Sequence, residues 1–413
     1  MTSGVMKIDT LTGNRFPPNG VNLKDTIMQP TALPGIPLFS SGPCAKRPGW
    51  NPAVLENASV GRSHRSRTAK TKLNNIIKRT HEILGLPKEW LVGIVPASDT
   101  GAFEMAMWSL LGQRPVDLLA WESFGREWVR DVQTQLKLSD TRTFLADYGG
   151  LPDLDRIDFS HDVVFTWNGT TSGVKVPDGN WIPADRGGLT LCDATSAVFS
   201  QHIPWQKIDV ATFSWQKVLG GEGGHGMIIL SPRAIERLKS YTPEWPMPKI
   251  FRLASRGTIN EGIFRGETIN TPSMICVEDT LDALQWVAEI GGLQETIKRS
   301  NNNLSVIEKW VDTSYWADFL AMSPKTRSNT SICLKIVDPW FLSLTSEDQE
   351  AIPKNIDALL AENDAAFDIN GYRDAPPGLR IWGGATVETE DIITLLPWLD
   401  WAYSEIKSSH RKD

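Results

Sequence analysis

Cysteine is scarce: four residues in 413, at Cys44, Cys192, Cys276 and Cys333, with no CxxC pair. That spacing gives neither a disulfide framework nor a zinc knuckle, so no metal site is expected and a reducing compartment suits it. Long apolar runs are missing as well. No stretch approaches the ~20 residues of a membrane span. The opening MTSGVMKIDTLTGNRFPPNG also lacks the apolar core of a secretion signal. A cytoplasmic location with no membrane partner is the expectation. Basic residues do not predominate, since 42 Lys and Arg stand against 49 Asp and Glu, a net charge of −7. Phosphate neutralisation needs a basic face, so a nucleic-acid partner is not expected. No GxxxxGK(S/T) run occurs, which argues against P-loop nucleotide chemistry.

What is present is a globular composition, 41% hydrophobic and 22% charged, on a chain too long for one compact core. The 17 Trp are unusually many and must be partly buried, but the count alone indicates no function. Residues 1–37, rich in Pro, Gly, Asn and Thr, read as an extended arm. From Leu38 to Asn270 short apolar runs alternate with helical stretches. The clearest strands are Asp162–Trp167, Leu189–Cys192, Val210–Trp215 and Met227–Leu230, and between them the pattern predicts helices over Gly101–Leu111 and Glu127–Leu138. Near-continuous apolar strands are those buried on both faces, so a mostly parallel sheet covered by helices follows. After Asn270-Thr271-Pro272 the texture changes. Val277, Leu281, Leu284 and Val287 recur at helical spacing, and further helices near Glu350–Glu362 and Thr389–Ile406 flank a strand at Ile332–Val337. The expected division is an arm over 1–37, a large α/β domain over 38–272 and a smaller α/β domain over 273–413.

Four segments carry the chemistry. In FSWQKVLGGEGGHG a strand ends in Gln216-Lys217 and the chain then turns through glycines. The crevice beyond the carboxyl ends of parallel strands is where α/β folds place ligands. Trp215, Val218 and Leu219 would desolvate the amine of Lys217 and lower its pKa. A snorkelling surface lysine is the commoner use of such a residue taken alone. Gly221, Gly223 and Gly226 match a dinucleotide motif letter for letter, but they lead into a strand rather than a helix. A tight turn that lets backbone approach a bound group is their better use. In LCDATSA, Asp193 closes a strand and can pair with a protonated pyridine nitrogen; its bland use is a turn cap. In SDTGAFEMAMW, Asp99 and Thr100 open a helix whose N–H groups and dipole can hold a phosphate, or they are an ordinary N-cap. Thr170 lies in TWNGTTSG. Phe124 can stack on a ring, although most phenylalanines are simply core. Phosphate helix, aromatic, Thr, Asp and Lys, in that order, is the arrangement of fold-type I pyridoxal-phosphate (PLP) enzymes.

SSGPC (Ser40–Cys44), SHRS (Ser63–Ser66), CDATS (Cys192–Ser196), WQK (Trp215–Lys217) and NTPS (Asn270–Ser273) resemble the phosphoserine aminotransferase family, of the class V aminotransferase group. The resemblance runs from about Phe39 to the C-terminus. It implies PLP bound as a Schiff base to Lys217, with Asp193 at the ring nitrogen and Phe124 stacked where the family often has Trp. Gln216 and Thr170 would lie on the phenolic oxygen side, and Asp99 and Thr100 would give phosphate-binding backbone groups. Asn270 and Thr271 would reach the cofactor phosphate of a neighbouring subunit, which implies a homodimer with shared sites. For substrate, His64 and Arg65 match the family's His-Arg pair and Arg380 its carboxylate-binding arginine. A bidentate guanidinium suits an α-carboxylate. The alternative for Arg62–Lys72 is a solvated basic helix face.

The chain departs from the family in two places. Many relatives have an arginine at Thr100, and a His-Arg pair where this chain has Arg373-Asp374; Arg373 can replace part of that charge. The activity implied is amino transfer between L-glutamate and 3-phosphohydroxypyruvate, giving 2-oxoglutarate and O-phospho-L-serine for serine biosynthesis. Action on 4-phosphohydroxythreonine for pyridoxine biosynthesis is left open. The rivals are another class V enzyme, such as a serine– or alanine–glyoxylate aminotransferase or a cysteine desulfurase, and a binding protein that merely kept the fold.

Overall fold

The computed structural model describes residues 27–410, together with the backbone of two short paired strands at Lys7–Ile8 and Arg15–Phe16. Most of the expected arm therefore lies outside the described residues. Its last part is held by polar contacts to the C-terminal region: Trp398 Nε1 donates to Ala32 O at 2.7 Å and Gly35 N to Asp391 Oδ1 at 2.6 Å.

Seven strands form the main sheet: β1 (Leu91–Pro96), β2 (Val116–Ala120), β3 (Thr141–Leu145), β4 (Asp162–Thr166), β5 (Thr190–Asp193), β6 (Val210–Ser214) and β7 (His225–Leu230). Their spatial order is β1-β7-β6-β5-β4-β2-β3, and only β7 runs against the rest. β2, β4, β6 and β7 are buried at every residue, as their unbroken apolar runs require. Edge strand β3 (TRTFL) opens with three polar residues and has no buried position, which is why no continuous apolar run marks it. The register sets Thr166 beside Asp193 and Asp193 beside Thr212, so one face of three adjacent strands carries these side chains in a row.

Helices α1 (Arg67–Ile83), α2 (Ser98–Leu110), α3 (Ser123–Arg130) and α4 (Pro232–Ser240) cover this sheet. The predicted helix over Glu127–Leu138 begins earlier, because Glu122 caps it at Ser123. It then passes into a π-turn over Asp131–Gln135. A buried ion pair clamps α4 to β4: Arg237 Nη1 and Nη2 donate to Asp162 at 2.8 and 3.1 Å, while Arg237 Nη1 also reaches Leu110 O at the end of α2. The rest of the chain comprises α5 (Met274–Ile290), α6 (Leu293–Val311), α7 (Ser346–Glu362) and α8 (Thr389–His410). They surround an antiparallel sheet of β8 (Ala317–Phe319), β9 (Ser331–Ile336) and β10 (Gly378–Trp382). No described helix is long and apolar enough to cross a membrane.

The glycine run after Lys217 has a different use from the one its spacing suggests. Gly226 lies inside β7, and a Cβ there would sit 2.2 Å from Ser98 O. The glycine thus lets the start of α2 lie directly on the sheet, rather than letting backbone approach a bound group. Gly223 has only Gln216 Cδ at 4.0 Å from the same construction. Gly226→Ala should therefore destabilise the fold by about 2–3 kcal/mol. Gly223→Ala should stay within about 0.5 kcal/mol of wild type in urea denaturation. Equal losses at the two positions would refute the packing role of Gly226.

Candidate active site

Strands β1, β2, β4, β5 and β6 all point the same way, so their carboxyl ends open on one crevice, and the chain leaving each supplies part of it. The result is a cavity of about 120 Å³ lined by Asp99, Thr100, Phe124, Thr170, Asp193, Gln216 and Lys217, seven residues that the sequence singled out. Ser98, which opens the same phosphate segment, completes the lining with Trp128, Thr166, Thr195 and Ser214, which carried no signal of their own.

Lys217 leaves β6 and turns its Nζ to the carbonyl oxygen of Ser41. The SSGPC segment reaches it because Gln216 O accepts from Cys44 N at 2.9 Å and because residue 42 is glycine. A Cβ on Gly42 would lie 2.5 Å from the ammonium. Burial pushes the Lys217 pKa below the ordinary lysine range, and the positive charge of Arg380 pushes the same way. Cys44 stands near both cations, but burial pushes its thiol up to about 12, so it stays protonated.

Asp193 is buried and held on both oxygens: Trp128 Nε1 donates to Oδ2 at 3.0 Å and Thr195 N to Oδ1 at 3.0 Å. Trp128 sits one turn beyond Phe124 on α3, so one helix both walls the cavity with an aromatic ring and orients the acid. Asp99 departs from expectation. Besides offering backbone groups at the start of α2, its side chain is buried beside Asp193, Thr195 and Thr212. Burial first, and then the charge of Asp193, push its carboxyl well above the usual carboxylate range. Thr100 is exposed at the cavity rim. Ala97 and Ser98 adopt left-handed φ of 65° and 57° where the chain enters α2, whose first residues, Ser98, Asp99 and Thr100, line the cavity. Gln216 Nε2 donates to Ser98 Oγ at 2.7 Å and joins the two loops.

The substrate candidates divide. Arg380 on β10 lies close enough for its charge to act on Lys217, and its Nε is buried without a protein partner. Its guanidinium stands 5.6 Å from the ring of Tyr372, which in turn packs 5.4 Å from Phe124. Arg373 is exposed on the same loop, 3.6 Å from Asp374. His64 and Arg65 are not brought to Lys217 within one chain. They line a separate basin of about 670 Å³ with Lys70, Lys249, Arg252 and Thr268. Asn270 and Thr271 are exposed just beyond that basin, on a turn anchored where Ser273 N donates to His225 Nε2 at 3.1 Å. His225 stacks on Trp215, ring centroids 4.5 Å apart.

No family model matches the chain. It is 58% identical over 380 residues to the phosphoserine aminotransferase of Methanosarcina mazei, covering 92% of this chain and all of that one. Among solved structures it resembles the phosphoserine aminotransferase of Cytophaga hutchinsonii, with a TM-score of 0.74 at 21% identity over 88% of this chain and 97% of that one. It also resembles the PLP-bound phosphoserine aminotransferase of Trichomonas vaginalis, with a TM-score of 0.70 at 16% identity over 88% and 99%. These likenesses give the fold, that of fold-type I PLP enzymes. At that identity and coverage to the Methanosarcina protein, the chain belongs to the phosphoserine aminotransferase family.

Proposed function

We propose that this chain is a PLP-dependent transaminase that moves an amino group between L-glutamate and 3-phosphohydroxypyruvate, giving O-phospho-L-serine and 2-oxoglutarate. The observation that carries the reading is a single cavity with a buried, depressed-pKa lysine and a doubly hydrogen-bonded aspartate in its walls, and an arginine edge left unpaired nearby. The cavity fits PLP. Thr166 Oγ1, Ser214 Oγ and Gln216 Oε1 are buried around it with no protein partner, as polar atoms reserved for a bound group would be.

Bound there, PLP supplies a carbonyl that takes up the amino group and a ring that draws electrons from the substrate's Cα. The protein supplies the rest. Asp193, fixed by Trp128 and Thr195, offers a carboxylate to a protonated ring nitrogen. The first turn of α2, with Ser98 and Thr100, holds the phosphate by N–H groups and dipole. Phe124 packs on the ring, with Thr170 and Gln216 at its phenolic side. Lys217 anchors the cofactor and, uncharged, takes the proton from the substrate's Cα. Arg380 receives the α-carboxylate with its free edge, and Arg373 adds charge at the rim.

A cysteine desulfurase needs a reactive thiolate, and Cys44, beside the lysine, is held neutral. A glyoxylate-type aminotransferase is disfavoured by the identity to the Methanosarcina protein. We also propose the division 38–272 and 273–413, supported by all seven strands of the main sheet falling before residue 231 and the three-stranded sheet falling after 316. The proposed assembly is a homodimer in the cytoplasm. In it His64, Arg65, Asn270 and Thr271 serve the cavity of the other copy, since within one chain none of them lines the cavity of Lys217. Serine biosynthesis is the proposed role, and 4-phosphohydroxythreonine is a candidate second substrate.

Lys217→Ala should abolish turnover and the yellow absorbance of the purified protein, and an active variant would overturn the assignment. Arg380→Ala should lower kcat/KM by about 10–150-fold for amino donor and keto acceptor alike, because both present an α-carboxylate. Steady-state kinetics showing no change for either substrate would remove Arg380 from the site. Co-expressing Lys217→Ala with Arg65→Ala chains should restore roughly one quarter of wild-type activity, from the single intact site of each mixed dimer. No recovery in isolated mixed dimers would refute shared sites. With 2-oxoglutarate as acceptor, phosphoserine should be the preferred donor over serine and alanine; the reverse order would favour the glyoxylate-type reading.

A further inference from the structure

Glu122 touches nothing in the cavity, yet it is fully buried and sits between two of its walls. Its Oε1 accepts from Gly125 N at 2.7 Å, in the first turn of α3, which carries Phe124 and Trp128. Its Oε2 accepts from Thr171 N at 3.3 Å and from Thr171 Oγ1 at 2.7 Å, in the loop that carries Thr170. The Thr171 hydroxyl also accepts from Ser123 N at 3.2 Å, which leaves its own hydrogen free to point at Glu122. We propose that Glu122 is a positioning residue for cofactor binding, a carboxylate clasp that fixes the ring-stacking helix α3 against the Thr170 loop. This rests on the reading of the cavity as a PLP site.

Two backbone N–H groups and one hydroxyl converge on two oxygens, so the clasp is complete with a group that only accepts. A carboxylate meets this demand. A glutamine amide does not, because in either orientation its NH2 meets the backbone N–H of Gly125 or Thr171, and a protonated carboxyl accepts more weakly and must turn the Thr171 hydroxyl around. The surroundings oppose the charge. Burial pushes the Glu122 pKa up to about 7, with the charge of Asp193 on β5 adding to it, while the Gly125 and Thr171 donors pull the other way. Tyr148, 3.3 Å from Thr171 Oγ1, and Cys333 on β9, its thiol pushed up to about 12 by burial, are the other titratable groups facing this spot. Among the described residues Glu122 makes no ion pair. A folded pKa above the unfolded value means the carboxylate is complete only above about 7 and takes up a proton as pH falls through that value. The clasp therefore loosens on the acid side.

The test is titration of apo-protein with PLP, followed by tryptophan fluorescence, for wild type and Glu122→Gln at about pH 6 and about pH 8.5. Comparing the two proteins at each pH cancels the titration of PLP and of Lys217. Glu122→Gln should bind about tenfold more weakly at the higher pH, and the gap should shrink to about twofold at the lower, where wild type has also lost the clasp. Thr171→Val, which removes one donor and leaves the charge, should show the same direction of change. Should Glu122→Gln fail to fold, Thr171→Val carries the test. A wild-type-to-variant ratio that is unchanged between the two pH values would overturn the role of Glu122 alone. Wild type that binds no PLP at either pH would overturn this proposal together with the cavity's assignment.

Discussion

Lys217 Nζ donates to the Ser41 carbonyl, and this contact joins the end of a central strand to the segment before α1. Only a glycine at 42 leaves room for it. With Gln216 O accepting from Cys44 N, the two segments lock together around the amine. The rest of the cavity is arranged around what that amine needs. It must lose its charge readily, so it is buried near Arg380, and it must stay within reach of a ligand, so it leaves the strand where the crevice opens.

The same burial acts with the opposite sign on the carboxyls of Asp99 and Glu122. Asp99, Asp193 and Glu122 lie close together under α2 and α3, and water reaches none of them freely. Each is held by donors to a different degree. Asp193 has an indole N–H and a backbone N–H, one on each oxygen. Glu122 has three donors, and its pKa still rises to about 7 because no cation compensates for lost hydration. Asp99 has hydroxyl neighbours, and burial first, then the charge of Asp193 beside it, push it well above the usual range. A buried region with three carboxyls therefore carries less negative charge than its composition suggests.

Much of this was legible in the sequence. Lys217 and Asp193 stand at the ends of apolar runs, and a run buried on both faces can be little other than an interior strand. Their convergence follows from parallel strands whose carboxyl ends share one edge. The family motifs added Arg380, which no periodicity would single out. Trp128, Thr195 and Glu122 were not legible. An indole at helical spacing reads as core, and a threonine or glutamate beside a strand end reads as a cap. Trp128 and Glu122 act through partners distant in sequence, Asp193 and Thr171, 65 and 49 positions away, and Thr195 acts through its backbone N–H, which no side chain announces.

The sequence by itself determined the α/β alternation, the lysine and the acid, because apolar periodicity and strand-end chemistry are local properties. The tertiary structure decided which residues share a cavity. It turned the Asp99 side chain inward toward Asp193, assigned Gly226 to packing under Ser98, and left His64, Arg65, Asn270 and Thr271 out of the cavity that Lys217 lines. The physical reason is the same in each case. Burial, hydrogen-bond satisfaction and reach depend on neighbours brought in by the sheet's strand order, and that order is not written in the spacing of any one segment.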